Sequence, residues 1–341
     1  MAGTRRYGWA LGLAAALAIA VAPAPAREIV DMSGRPVIVP DTIHRAYAMT
    51  HAFPLITAIA PDLVAGFAMP VPPKPEMLEF LPPGMAGLPN IGGGADVNME
   101  KLKAVGIDVA FGWTTPKEMY QVKLLERINV PVVFIDVDRL SQYPGTFRFL
   151  GKLFHREARG EELAKTLEVL VARLKKYAAA VPEKEKPRVY YAESIDGLVS
   201  QCEGTDRSEV IVLAGGRNAL TCSKADLLAD HYPIDLETLL TVDPDVIVTR
   251  FPATASAIKS DPRWARLRAV RDGKVFAVPA YPFNWFDRPP SFMRALGAEW
   301  LGTKLHPKVY RIDLKAEIRR FHHVFFGTSL SDAQVEKLLS P

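Results

Sequence analysis

Between Tyr143 and Pro182 the chain reads YPGTFRFLGKLFHREARGEELAKTLEVLVARLKKYAAAVP, and its apolar residues recur at helical spacing. Phe147, Leu150, Leu153 and Phe154 are followed by Leu163, Leu167, Leu170, Val171 and Leu174, the three-and-four rhythm of an amphipathic helix. The pattern predicts one long linking helix over 144–181, which Gly151 and Gly160 bend without ending. The charged run PEKEKP then marks a boundary. A single stiff connector near mid-chain divides the rest into two lobes, 27–143 and 187–341. Such a connector permits less hinge motion than several flexible crossing strands.

Each half alternates short apolar runs with amphipathic segments, which predicts an α/β chain with mainly parallel sheets flanked by helices. In the first half HRAYAM, LVAGFA, DVAFG and PVVFID read as strands, and AFPLITAIA, NMEKLKAVG and PKEMYQVKLLERIN as helices. In the second, RVYYAES, DVIVTR and KVFAVP read as strands, and RSEVIVLAG, DLETLLTV and DPRWARLRAV as helices.

The first residues point to export. Arg5 and Arg6 precede the apolar run ALGLAAALAIAVA, and APA at Ala24–Ala26 supplies a small-x-small cleavage site. Cleavage after Ala26 leaves about 315 residues, more than one typical core, for a protein expected in the periplasm. Without the leader's two arginines, 40 basic residues face 38 acidic ones, so no basic footprint for nucleic acid is present. The two cysteines, Cys202 and Cys222, are expected to form a disulfide in that oxidising compartment.

The stretch AYPFNWFDRPPS at 280–291 gathers aromatics and an Asp-Arg pair where prolines forbid regular structure. It follows the strand KVFAVP, and ligands of open α/β sheets bind beyond the carboxyl ends of strands. Tyr281 and Trp285 are expected to give flat walls there, with Arg288 as the polar fix. The same rule nominates His51, Met69, Trp113, Glu193 and Arg250, each at the end of an expected strand. GGG at Gly92–Gly94 lacks the Gly-Lys-Ser/Thr ending of a phosphate loop. His322 and His323 are adjacent on an expected helix and face different ways, so they are not a paired metal site.

The halves also echo one another. VNMEKLKAVGIDVAFG and IDLETLLTVDPDVIVTR share an order, with Glu100 and Glu237 in the same place in the first turn of a helix. The helix dipole accounts for one such Glu; it does not account for matching positions in both halves.

With IVDMSGRPVIVP, VIVLAGGRNAL and DPRWARLRAVRDGKVFAVP in their order and spacing, nearly all of the mature chain resembles the periplasmic binding proteins of ABC importers for ferric siderophores, haem and cobalamin. The resemblance implies two lobes joined by one rigid backbone helix. It also implies that Glu100 and Glu237 dock on arginines of a membrane permease. Against the cobalamin-binding member, Asn284, Trp285, Phe286 and Arg288 fall on a cleft segment, with Asn284 replacing an acid, and His231 and Tyr232 lie where a cleft tryptophan stands. The implied function is capture of an iron complex of siderophore type, with a molybdate- or tungstate-like oxyanion, haem or cobalamin as alternatives. A monomer with no resident cofactor is expected. The alternative from another class, an exported chelatase-like enzyme, rests on His51 and Glu193 alone and has no paired acid–base constellation behind it.

Overall fold

The computed structural model describes residues 25–340 apart from 70–71, 94–96, 115 and 224–230. Of the leader expected over 1–26, residues 1–24 lie outside the described residues. The chain opens with an antiparallel hairpin of β1 (Ala26–Val30) and β2 (Pro36–Pro40). Strand β3 (Ala46–Ala48), helix α1 (Phe53–Ile59), α2 (Pro75–Leu78), α3 (Met99–Val105), β4 (Val109–Gly112), α4 (Pro116–Glu126) and β5 (Val132–Phe134) follow. Helices α5 (Tyr143–Leu153) and α6 (Glu157–Ala180) lead to β6 (Arg188–Ala192), β7 (Val199–Ser200), α7 (Glu209–Leu213), β8 (Arg217–Asn218) and β9 (Tyr232–Pro233). The remainder is α8 (Leu236–Val242), β10 (Val246–Thr249), α9 (Pro252–Ser260), α10 (Arg268–Arg271), β11 (Val275–Ala277), α11 (Met293–Leu305), α12 (Leu314–Phe326) and α13 (Asp332–Leu339).

Two parallel sheets result, ordered β3-β4-β5 and β11-β10-β6-β8. Their register sets Ala48 beside Phe111, Phe111 beside Val133, and Val248 between Tyr191 and Phe276. The strands are buried on both faces, which is why they read as unbroken apolar runs. Ala46, Ala48, Val109, Phe111 and Val133 of the first sheet, and Val189, Tyr191, Val246 and Val248 of the second, enter one common core with α1, α5, α6, α11 and α12. Tyr47, Ala110, Val132 and Phe134 point into a separate core behind the first sheet. Tyr190, Ala192, Ile247 and Val275 do so behind the second. The lobes therefore share one helical layer. No helix among the described residues is long and apolar enough to cross a membrane.

The segment expected as one helix over 144–181 is two. Helix α5 ends at Leu153, His155 turns the chain with φ 55°, and the 24-residue α6 returns alongside. At 1.5 Å per residue α6 spans roughly 36 Å. The turn is held by packing. A Cβ on Gly160 would lie 2.6 Å from the Phe147 carbonyl oxygen and 3.0 Å from the Cα of Gly151, so both glycines permit backbone contact. Arg148 clamps the pair, reaching Glu161 and Glu168 at 2.6 Å each.

Two further expectations are corrected. LVAGFA forms only single bridges, Ala46 to Val64 and Phe67 to Asn90. DPRWARLRAV is helical only at Arg268–Arg271, because the Asp261 carboxylate accepts from the Arg263 N–H at 2.9 Å and holds the start as a turn. The last helices reach back to the first half: Arg159 donates to the carbonyls of Ala58 and Val324, and Lys337 meets Glu79 at 2.9 Å.

Candidate ligand-binding cleft

Beyond the carboxyl ends of β10 and β11 lies a cavity of about 430 Å³. Met69 and Met77 from the first half and Tyr281 and Phe283 from the second form its apolar wall, and the charged side chains among its described lining residues are Lys74, Arg250, Arg288 and Lys337. All four are basic. Five residues nominated from the sequence, Met69, Arg250, Tyr281, Asn284 and Arg288, meet here. The Tyr281 ring stacks on Phe80 with centroids 5.9 Å apart. Arg250 lies over Phe251 at 4.9 Å, and its guanidinium makes no hydrogen bond to a described residue.

The loop over 280–291 contains cis peptide bonds at Tyr281–Pro282 and Arg288–Pro289. Asn284 shapes its middle: its Oδ1 accepts from the N–H groups of Phe286 at 2.9 Å and Asp287 at 3.3 Å. The expectation that Trp285 walls the cleft is corrected. Trp285 is 0% exposed, its Nε1–H donates to the Tyr281 carbonyl at 3.0 Å, and a Cβ on Gly297 would lie 2.1 Å from its carbonyl oxygen. Helix α11 thus seals the indole away from solvent. Phe286 is buried likewise, against Tyr191 and Trp300.

Beside Arg288 lies an ionic cluster. Glu193, next after β6, is 2% exposed. Its Oε1 accepts from Nε of Arg288 at 2.7 Å and also from Nη2, with His231 Nδ1 at 3.5 Å and Arg207 at 3.8 Å. Its Oε2 accepts from Gln201. Asp287 is wholly buried; its Oδ1 accepts a hydrogen bond from the Tyr191 hydroxyl at 2.9 Å, and its Oδ2 has no hydrogen-bond partner among the described residues but lies 3.8 Å from Nε of Arg288. Burial pushes its pKa up, and the Glu193 charge adds to the rise against the pull of Arg288 and Arg250.

The other nominated residues lie apart from the cavity wall. His51 and Trp113 form an edge-on pair with centroids 4.9 Å apart. Tyr232 is in β9, paired with Ser200 and packed on the core behind the second sheet. Lys337 and Leu338 on the wall had no local signal in the sequence, since they come from the last helix. The proline-dense PPKP over 72–75 was the overlooked signal for Pro72, Pro73 and Lys74.

Glu100 and Glu237 are exposed in the first turns of α3 and α8. The caps are other residues: Asn98 accepts from the Lys101 N–H at 2.9 Å and Asp235 from the Thr238 N–H at 2.7 Å. Neither glutamate has an ion-pair partner among the described residues. Cys202 and Cys222 are joined, with Cα atoms 5.6 Å apart. His322 is buried, whereas His323 on the same helix faces solvent.

Two parallel sheets sharing a helical layer, with a basic-lined cleft beyond their strand ends, define a bilobal solute-binding receptor. The chain belongs to the periplasmic binding protein family, whose pattern matches residues 83–282. It superposes on an ABC transporter solute binding protein from Sulfurospirillum deleyianum with TM-score 0.82 and 32% identity, over 92% of this chain and 99% of that one. The molybdate-binding protein MolA of Haemophilus influenzae is 26% identical over 89% of this chain and 92% of its own length. The molybdate-bound MolA structure superposes with TM-score 0.73 and 23% identity, covering 89% of this chain and 99% of that chain. The high-affinity heme uptake system protein IsdE of Staphylococcus aureus is 25% identical over 63% of this chain and 75% of its own. This chain is accordingly a periplasmic binding protein of an ABC importer, a receptor and not an enzyme.

Proposed function

We propose that the cleft captures an anionic metal chelate, of the ferric siderophore type, and hands it to the importer's permease. The observation that carries this reading is the cavity itself: every charged side chain among its described lining residues is basic, and the rest of the wall is largely apolar. A volume of about 430 Å³ lies within the roughly 300–1,000 Å³ typical of sites for sizeable organic ligands. Arg250, with no hydrogen-bonded partner among the described residues, supplies the main charge; Met69, Met77, Tyr281 and Phe283 cover the ligand's flat faces. A molybdate-like oxyanion is the second reading, favoured by the likeness to MolA over 89% of the chain and by the same arginine. Delivery runs through Glu100 and Glu237, whose helices are capped by other residues and which are left exposed for permease arginines. Each such pair is worth ~0–1 kcal/mol and sets orientation more than affinity. Maturation is by cleavage after Ala26, and the receptor works as a monomer.

Calorimetric titration of the mature protein at fixed salt, with ferric tris-catecholate, ferric hydroxamate, haem and molybdate, tests the reading. One-to-one binding of the tris-catecholate, weakened at least about tenfold in Arg250→Ala, is expected; one charge–charge contact at a partly exposed site is of that size. Tight binding of a neutral chelate, indifferent to Arg250→Ala, overturns it. Glu100→Ala with Glu237→Ala should abolish uptake in cells while the purified protein binds as before.

A further inference from the structure

Arg288 does not face the cavity unencumbered. Its Nε and Nη2 both donate to one oxygen, Oε1 of Glu193, and Nη2 lies 3.4 Å from His231 Nδ1. One edge of the guanidinium is thereby committed to the protein. Nη1 has no hydrogen-bond partner among the described residues, and the residue lines the cavity. Glu193 itself is 2% exposed, so it touches the ligand space only through its field. Arg207 stands 3.8 Å from the same oxygen. Asp287, the other carboxyl close to Arg288 among the described residues, is wholly buried and shifted toward its neutral form by that burial. Among the described residues, Glu193 is therefore the carboxylate that offsets Arg288 in the cleft, while Glu79 pairs with Lys337.

We propose that Glu193 is the specificity residue that sets the charge of the ligand the cleft accepts. Resting on the anionic-ligand reading above, this assigns Glu193 two coupled actions. It fixes the edge of Arg288 so that Nη1 is presented to the ligand, and it subtracts one unit of charge from the cleft, so that anions of higher charge are held back relative to those of lower charge. Closeness to Arg288 makes the field strong: at a separation of about 7 Å and an effective dielectric of about 35, one charge alters ligand affinity by about tenfold per unit of ligand charge. Glu193→Gln separates the two actions. The amide keeps a carbonyl oxygen for Arg288, and Gln201 can turn its own amide over to accept from the new NH₂ group, so geometry persists while the charge is lost.

The experiment titrates wild type and Glu193→Gln with two pairs of same-shaped probes at fixed ionic strength. One pair is the Fe(III) and Ti(IV) tris-catecholates, trianion and dianion. The other is molybdate and perrhenate, dianion and monoanion. Whichever pair the wild type binds, Glu193→Gln should bind both members more tightly and widen the preference for the more highly charged one by about tenfold. Arg207→Gln should narrow that preference, and it serves alone if Glu193→Gln fails to fold by thermal unfolding. Parallel weakening of both members, or an unchanged preference, overturns the proposal and leaves the anionic-ligand reading standing. Failure of the wild type to bind any of the four overturns both.

Discussion

His322 is a histidine in a hydrocarbon setting. Its ring lies 5.3 Å from Phe326 and 6.0 Å from Phe80, neither nitrogen has a hydrogen-bond partner among the described residues, and burial lowers its pKa from 6.5 to about 3. The unfolded chain takes a proton there as pH falls through 6.5 and the folded chain does not, so this group's stability is full above 6.5 and drains away toward pH 3. Glu299 on α11 does the reverse. Burial raises its pKa from 4.5 to about 7, against the pull of Arg173. The folded state keeps a proton that the unfolded state releases, so its contribution is full below pH 4.5 and is lost as pH rises to 7. Each group contributes a slope of about 1.4 kcal/mol per pH unit, of opposite sign, between pH 4.5 and 6.5. The two contributions should largely cancel across that window, so the urea midpoints of each variant are read as a change of slope against the wild type. His322→Phe should make stability fall as pH rises, and Glu299→Gln should make it rise. Parallel slopes in both variants would sink this account.

Among the elements, the α5–α6 hairpin is where local sequence and packing diverge most. Ala is the better helix former by about 1 kcal/mol, yet Gly160→Ala should destabilise. Its Cβ would press on the Phe147 carbonyl at 2.6 Å, and forcing backbones apart costs ~1–3 kcal/mol. Gly145→Ala in α5, where an added Cβ meets nothing within 4 Å, should instead stabilise by about 0.5–1 kcal/mol. Equal effects of the two substitutions in denaturant unfolding would mean that the glycines do not set the approach. This pair shows what could be read beforehand. Helical spacing over 147–174 was legible because it is local; the break at His155 was not, because it depends on Gly160 meeting residues of the other helix. The strands were legible as apolar runs buried on both faces, and the carboxyl-edge rule found Arg250, Met69 and the 280–291 loop. It misplaced Trp285, whose burial depends on Gly297 of α11. It missed Lys337, which only tertiary packing brings to the cleft.

For the whole molecule the question is what fixes one lobe against the other, and Arg294 bears on it most directly. The side chain is wholly buried. Toward the first half it donates to the Asp138 carbonyl at 2.6 Å and the Tyr143 hydroxyl at 2.9 Å; toward the second it reaches the Asp206 carbonyl at 3.0 Å and Glu209 at 3.4 Å. Glu209 in turn accepts from the Leu140 N–H at 3.1 Å, and Arg139 donates to the Gly204 carbonyl at 3.1 Å. A buried guanidinium with its donors spread over both halves resists sliding, because any shear leaves carbonyls and a carboxylate unsatisfied in a dry site. Arg294→Met keeps most of the volume and removes every hydrogen bond that the Arg294 guanidinium makes. Stability should fall by ~3–5 kcal/mol, the cost of breaking a buried charged network on one side. More telling is where hydrogen exchange accelerates. If Arg294 ties the lobes, amides over 137–143 and 204–209 should lose protection together, while those of β4 and β10 hold theirs. Loss on one side alone would confine Arg294 to local support and leave the shared core under α6 as the element that sets the angle between the lobes.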